Sequence, residues 1–274
     1  VVLLEKDSLK RRLSLSYKDT MTNPFLQFAQ DFKTGDVVSG MLKWELFQKH
    51  TGENLNKIDT NLAKSSAYLG ILGLTGLTAH LALKHIGKPE KGETLVVSGA
   101  AGAVGSVAGQ IGKIKGCRVV GIAGSDEKID HIKEKFGYDA GINYKTTENM
   151  QKAIEKNCPD GVDVYFDNVG GIVIDAVMNY INVGARIAVC GAISDYNRDV
   201  PDSGPRVSRT LVFKQAKMEG FLVTQFRDQH QECRNQMATW MRAGQIVYKE
   251  DFVNGLKNAP KAFIGLLRGE NFGK

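Results

Sequence analysis

The sequence has little of what marks a membrane, metal-binding or disulfide-linked protein. None of its apolar runs approaches the roughly 20 residues of a membrane-spanning helix, and its first residues lack the basic-then-apolar layout of a signal peptide. Four scattered cysteines form no C-x-x-C pair, so we expect reduced, mostly buried thiols. His80 and His85 are five residues apart and do not share a helical face, so we predict no metal site. We therefore expect a cytoplasmic protein with no membrane partner.

The sequence also has no long segment in which charges of one sign are concentrated. The chain of 274 residues has a net charge of +6, but its basic residues are interleaved with acids. Its densest basic cluster, Lys10-Arg11-Arg12, is too short for a nucleic-acid stripe, whereas a polyanionic small molecule suits a mildly basic protein. A hydrophobic content of 42% and this length allow one large domain or two smaller ones.

What is present is a regular alternation of short apolar runs and helical patterns after Gly92. This alternation predicts an α/β fold with a doubly wound parallel sheet of the Rossmann type. The predicted strands cover 94–98, 118–123, 140–143, 162–167 and 184–190, and the predicted helices cover 103–115, 126–136, 147–156 and 171–181. A helical pattern interrupted by glycine precedes them over 65–85, and a strand over 218–223 and a helix over 229–243 follow.

A cluster of small residues joins the first strand of this sheet to its helix. Ala100-x-Gly102-x-x-Gly105 resembles a dinucleotide fingerprint in which alanine replaces the first glycine. Small residues here let the backbone approach a pyrophosphate at the helix N-terminus, although tight strand-helix packing would require them too. In this strand-turn-helix setting we favour a nucleotide site.

The end of the second strand indicates which nucleotide binds. The strand ends in Ala123-Gly124-Ser125 without a carboxylate at its tip, and Lys128 is a suitable partner for a 2'-phosphate. Asp126 and Glu127 lie close to the spacing of an NAD ribose acceptor, but we favour their interpretation as first-turn acids after an N-cap at Ser125. NADP(H) is therefore the predicted cofactor.

Eight segments also resemble a known family in order and spacing. They span residues 68–274 and read "YLGILGLTGLTAH", "VVSGAAGAVGS", "VVGIAGSDEKID", "INYKT", "DGVDVYFDNVGG", "ARIAVCGAISDYN", "EGFLV" and "LLRGENFGK". In these segments the chain is similar to the zinc-independent branch of the medium-chain dehydrogenase/reductase superfamily. It resembles in particular the bacterial NADP-dependent oxidoreductases related to prostaglandin reductase and plant 2-alkenal (double-bond) reductases.

The resemblance implies a GroES-like β-rich catalytic domain wrapped around the Rossmann domain. We expect residues 1–65 to be a partial catalytic domain, 66–200 the NADP-binding domain, and 201–274 the end of the sheet and the return to the catalytic domain. The amino-terminal part is several tens of residues shorter than in such relatives. Asp7-Ser8-Leu9-Lys10-Arg11 stands where they carry Asp-Pro-Tyr-Met-Arg, and the closing strand after Lys274 is absent.

The resemblance also implies roles for individual residues. Lys128 and Tyr144 would hold the 2'-phosphate, with Ser125 at the adenosine ribose, and Tyr196 would lie beside the substrate carbonyl. The remaining implied contacts are Gly102, Ala103, Val104 and Gly105 at the pyrophosphate, Asn168, Gly191, Ala192 and Ile193 at the nicotinamide half, Phe221 and Val223 past the carboxamide, and Asn271 closing the groove. The relatives commonly form homodimers.

The implied reaction is hydride transfer from NADPH to the β-carbon of an α,β-unsaturated aldehyde or ketone, without a metal. Tyr196 would donate a hydrogen bond to the carbonyl oxygen, although a tyrosine in a polar loop can equally cover the core. Quinone reduction remains an alternative, as does NADPH binding without catalysis. A methyltransferase would also use a glycine-rich first turn, but Lys128 and Tyr144 would then have no role.

Overall fold

A six-stranded, fully parallel sheet forms the centre of the protein. The computed structural model describes residues 32–200 and 202–271. The strands lie in the order β5-β4-β3-β6-β7-β8, the arrangement of a Rossmann fold. Their bounds are β3 Thr94–Ser98, β4 Arg118–Ala123, β5 Ala140–Asn143, β6 Val162–Asp167, β7 Ile181–Val189 and β8 Lys217–Gly220, after a small antiparallel pair, β1 Val38–Ser39 and β2 Asn56–Lys57.

Helices cover both faces of the sheet and divide the core in two. The helices are α1 Leu74–Ala82, α2 Gly105–Ile114, α3 Asp126–Phe136, α4 Met150–Asn157, α5 Gly171–Val177, α6 Ser208–Lys214, α7 His230–Arg242 and α8 Ala259–Leu267. On one face, α1, α2, α3 and α7 supply buried apolar side chains. On the other face, α4 and α5 do so, with α6 packed partly against them. The predicted α/β doubly wound sheet is confirmed.

Several predicted elements match the structure residue for residue. The strands at 94–98, 118–123, 140–143 and 162–167 and the helix at 126–136 have the predicted bounds. Other predicted bounds were wrong: α5 ends at Val177 rather than 181, and β7 spans Ile181–Val189 rather than 184–190. The helices predicted at 103–115, 147–156 and 229–243 are Gly105–Ile114, Met150–Asn157 and His230–Arg242. Positions 182–184 are asparagine, valine and glycine, and Val183 is exposed, so the start of the strand has no continuous apolar run that the sequence pattern could reveal.

The helical pattern over 65–85 is divided into three pieces. A 3-10 helix spans Ser65–Leu69, α1 begins at Leu74, and a π-helical turn spans Leu83–Gly87. Hydrogen bonds from the amides of Gly73 and Gly76 to the carbonyl of Gly70 make a compact turn between the first two pieces. The predicted strand over 218–223 ends at Gly220, and Val223 begins a 3-10 helix.

The region expected to be a partial catalytic domain is described only from residue 32. Between residues 32 and 64 its regular structure is the β1–β2 pair. The Asp7–Arg11 segment, the basic cluster at residues 10–12 and the last three residues lie outside the described residues. The domain boundaries therefore stay predictions. Within the described ranges, no helix has the length and apolar character needed to cross a membrane.

Candidate dinucleotide site

The glycine-rich turn between β3 and α2 combines a packing position with an open one. A Cβ atom at Gly105 would overlap the carbonyl oxygen of Gly99 and lie 2.9 Å from Cα of Ala100, so Gly105 lets α2 approach the turn. A Cβ at Gly102 would meet a single neighbour, the Gly99 carbonyl oxygen at 3.2 Å. The helix is also held by Tyr138, whose buried hydroxyl donates to the Gly105 carbonyl at 2.7 Å. Gly105 is thus explained by packing, while the surface at Gly102 is free for a ligand.

The strand order places the ends of β3 and β6 side by side. In such sheets, ligands bind where neighbouring crossovers leave in opposite directions. Asn168 follows β6 and is fixed at this point, because its Nδ2 donates to the Ser98 carbonyl at 2.7 Å and its backbone amide donates to Ser98 Oγ at 2.8 Å. The structure therefore brings Asn168 to the glycine-rich turn, and its contact with the nicotinamide half stays a prediction.

A buried carboxylate organises this edge of the sheet. Asp167, which is 1% exposed, accepts at Oδ1 from Ser98 Oγ at 2.8 Å, from the Tyr165 hydroxyl at 2.7 Å, and from the amides of Val169 and Gly170. Burial, and then the Asp167 charge, raise the pKa of Tyr165 well above its usual value. Ser98 lies on the neighbouring strand β3, whereas the other partners lie within three residues of Asp167; the sequence analysis missed the network because the contact with Ser98 depends on the strand order. The one available signal was an acid at a strand end in "YFDNVGG".

The loop after β7 carries Tyr196 to the same edge. The amide of Ile193 donates to the Asn168 carbonyl at 3.3 Å, which ties this loop to the end of β6. The Tyr196 hydroxyl accepts a hydrogen bond from the amide of Ala192 at 3.2 Å, while the residue as a whole is 64% exposed. A Cβ at Gly191 would lie 2.8 Å from that hydroxyl oxygen, so the small residue leaves space for the phenol.

The tips of β4 and β5 form a second part of the site, which we call the adenosine corner: Gly124, Ser125, Asp126, Lys128, Asn143, Tyr144 and Lys145. Ser125 caps α3, and its Oγ accepts from the Lys128 amide at 3.3 Å. The ring of Tyr144 lies against Gly124, where a Cβ would be 3.1 Å from the Tyr144 hydroxyl oxygen. The N-cap predicted at Ser125 is confirmed.

The ammonium group of Lys128 already has one partner within the chain. Lys128 Nζ donates to the Gly269 carbonyl at 2.8 Å, which brings the segment after α8 to the adenosine corner. Partial burial, followed by the positive charge of Lys145, lowers the pKa of Lys128. A cation that is partly desolvated and close to a second cation is a favourable partner for a phosphate.

Three of the residues predicted to contact the cofactor, Phe221, Val223 and Asn271, lie outside the glycine-rich turn and the adenosine corner. Val223 is buried, and its carbonyl is hydrogen-bonded to His230 Nε2 at 3.0 Å, so the side chain belongs to the core. Phe221 is half-buried against the same core. Asn271 lies two residues after Gly269 and so follows the segment that contacts Lys128.

Within 32–200 and 202–271, no group of three or more His, Cys, Asp or Glu side chains is arranged to hold a metal ion.

The parallel sheet with this strand order, the glycine-rich turn and the adenosine corner define a Rossmann-type dinucleotide-binding domain. A family model described as "Zinc-binding dehydrogenase" matches residues 103–242. The chain is 57% identical over 244 residues to YfmJ of Bacillus subtilis (strain 168), whose name describes an NADP-dependent oxidoreductase; the match covers 88% of this chain and 72% of that protein. The chain belongs to the medium-chain dehydrogenase/reductase family.

Two further matches carry more specific names. The chain is 43% identical over 244 residues to the NADP(+)-dependent 2-alkenal reductase of Nicotiana tabacum, a match that covers 89% of this chain and 71% of the relative. It also resembles the crystal structure of CurA from Vibrio vulnificus in complex with NADPH. That match has a TM-score of 0.73 and 47% identity, and it covers 76% of this chain and 63% of that one, somewhat less than two thirds of its length.

Proposed function

We propose that the chain catalyses the NADPH-dependent reduction of the carbon–carbon double bond of α,β-unsaturated aldehydes and ketones. The chain is an NADP-dependent oxidoreductase, and the finer assignment concerns its substrate. The observation that carries the assignment is the position of the Tyr196 hydroxyl above Gly191, on the sheet edge that also holds Asn168 and the glycine-rich turn. A phenol at this place is suited to contact a carbonyl oxygen.

The residues present fit the cofactor, which is NADP(H). The open surface at Gly102 and the N-terminus of α2 suit a pyrophosphate. Lys128 and Tyr144 would hold the 2'-phosphate, and Ser125 would contact the adenosine ribose. Gly102, Ala103 and Val104 would line the pyrophosphate, whereas Gly105 acts through packing. Asn168 and the loop Gly191–Ile193 would face the nicotinamide half.

The bound cofactor supplies a hydride, and the chain must stabilise the charge that then develops on the substrate oxygen. Because the Tyr196 oxygen accepts from the Ala192 amide, the hydroxyl proton is free to point toward a substrate. A donor placed at a developing oxyanion typically contributes on the order of a hundredfold to a thousandfold in rate. Tyr196 is therefore the proposed catalytic residue, and Asn168 and Gly191 set its surroundings.

The decisive experiment measures NADPH consumption with purified protein against 2-alkenals, curcumin-like dienones and quinones. We expect turnover of the first two classes, with product in which the double bond is saturated and the carbonyl retained. Turnover of quinones alone would replace the proposal with quinone reduction. Stoichiometric NADPH binding without any turnover would make the chain a non-catalytic NADPH-binding protein.

We also propose a cytoplasmic homodimer. Two observations support the dimer: β8 is an edge strand of the sheet, and Val212 and Phe213 on the neighbouring helix α6 are about 70% exposed. An edge strand beside exposed apolar side chains is suited to a second copy of the chain. Light scattering should give twice the chain mass, and Phe213→Glu should give monomers; a wild-type monomer would contradict the proposal.

A further inference from the structure

An asparagine at the tip of β5 connects both sides of the adenosine corner. Asn143 is the last residue of β5 and is paired in register with Ala123, the last residue of β4. It is therefore next to the strand tip where NAD-dependent enzymes of this fold carry a ribose-binding acid. No such acid is present at the tip here, but Asp126 follows three residues after Ala123.

Both polar atoms of the Asn143 side chain are occupied. Its Nδ2 donates to Asp126 Oδ1 at 2.7 Å, and its Oδ1 accepts from the Lys145 amide at 3.1 Å. Its backbone carbonyl accepts from Thr147 Oγ1 at 2.7 Å and from the Thr147 amide at 3.0 Å. These bonds fix the side-chain amide, so it holds the Asp126 carboxylate in one place.

The position of this carboxylate matters because of its charge. A free carboxylate beside the adenosine ribose would accept hydrogen bonds from the ribose hydroxyls and would repel a 2'-phosphate. Such a carboxylate therefore favours NADH over NADPH. The amide of Asn143 instead engages one Asp126 oxygen with a neutral donor. The same residue begins the turn that places Tyr144 against Gly124 and continues to Lys145, whose charge lowers the pKa of Lys128.

We propose that Asn143 is a positioning residue for cofactor choice, which restrains Asp126 and orders the Tyr144–Lys145 turn so that the adenosine corner accepts a 2'-phosphate. This inference rests on the proposed function, because it presumes NADPH as the cofactor. Asn143 is not required to touch the cofactor, and it acts through Asp126 and the turn. Removal of the Asn143 side chain should therefore weaken NADPH binding selectively and leave the affinity for NADH nearly unchanged.

The test is equilibrium binding of NADPH and NADH, measured by titration calorimetry without substrate. Asn143→Ala should raise the Kd for NADPH about tenfold and leave that for NADH within about twofold, since only NADPH presents the 2'-phosphate to the released carboxylate. Asn143→Asp, which keeps the side-chain shape, should raise the NADPH Kd further. The double variant Asn143→Ala, Asp126→Asn should recover most of the NADPH affinity.

A matched control separates this role from general destabilisation. Asn179→Ala likewise removes an asparagine side chain whose Nδ2 donates a hydrogen bond, here to the Asp175 carbonyl at 2.9 Å, but it lies after α5 and outside the adenosine corner, so both affinities should stay unchanged. Equal losses for both cofactors in Asn143→Ala and Asn143→Asp, or a double variant as weak as Asn143→Ala, would overturn the inference. A wild-type protein that binds NADH as tightly as NADPH would instead refute the proposed cofactor.

Discussion

We expect cofactor choice to depend most directly on the side chain of Lys128. Lys128→Ala would remove the proposed charge-assisted hydrogen bond to the 2'-phosphate, which would be worth about 2 kcal/mol, or roughly thirtyfold in Kd. We expect calorimetry to show this loss for NADPH and a much smaller one for NADH. Equal losses for the two cofactors would mean that Lys128 supports the corner only through its bond to the Gly269 carbonyl.

Tyr196 tests the proposed chemistry at the same scale. Tyr196→Phe should lower kcat for enal reduction about a hundredfold, because the donor to the developing oxyanion is lost, while the Kd for NADPH stays unchanged. Tyr180→Phe is the matched control, since the Tyr180 hydroxyl bonds Glu155 at 3.3 Å outside the site and its loss should not affect kcat. If turnover by Tyr196→Phe equals that of the wild type, the phenol has no part in the reaction.

At the scale of residues, the sequence predicted the contact that forms within one short segment and missed the side-chain contacts between segments that are distant in the sequence. The cap at Ser125 follows from spacing within a single turn, and the structure bears it out. The Asp167 network joins the ends of β3 and β6, and the Asn143–Asp126 bond joins β5 to α3. Such pairs require the strand order, which no local pattern contains.

At the scale of elements, we expect the two glycines of the turn between β3 and α2 to have different roles, Gly105 in packing and Gly102 in cofactor binding. Gly105→Ala forces a methyl group against the Gly99 carbonyl, so the free energy of unfolding should fall by roughly 1–3 kcal/mol in urea titrations. Gly102→Ala has more space and should cost less stability, but it should weaken NADPH binding because the methyl group stands on the open surface. If Gly102→Ala were the more destabilising of the two, this division of roles would be wrong.

The elements best predicted are those whose pattern is purely local. The buried strands β3 and β6 are short apolar runs bounded by polar turns, and α3 has a serine cap and a closing glycine, so their ends were found to the residue. The glycine-rich stretch before β3 was harder, because hydrogen bonds to Gly70 decide where each helical piece ends. Those hydrogen bonds depend on how the chain packs, and the helical spacing of apolar residues does not reveal them.

For the molecule as a whole, a half-buried histidine predicts loss of stability in acid. Burial, and then the charge of Lys84, lower the pKa of His80 to about 4, and its ring packs edge-on against Trp240. Below about pH 6.5, His80 therefore binds a proton in the unfolded chain but stays neutral in the folded protein until the pH approaches 4. As the pH falls from 7 toward 4, folding should lose roughly 1 kcal/mol through this group, since partial exposure reduces the effect.

The measurement is the urea midpoint at pH 7 and pH 5 for the wild type and for His80→Gln. The variant should lose less stability between the two pH values, because its side chain does not titrate. Other groups contribute equally to both proteins, so the difference between them isolates His80. An identical pH dependence in both would show that His80 titrates normally in the folded protein.

The hydrogen bond from Lys128 to the Gly269 carbonyl has a consequence for how the molecule receives its ligand. An ammonium group has three protons, and the peptide carbonyl uses one of them. Two remain for other oxygen atoms, so a nucleotide bound at Lys128 would not have to displace the segment after α8. In that case a single ammonium group would bridge the nucleotide and this segment, and Gly269 would line the nucleotide site.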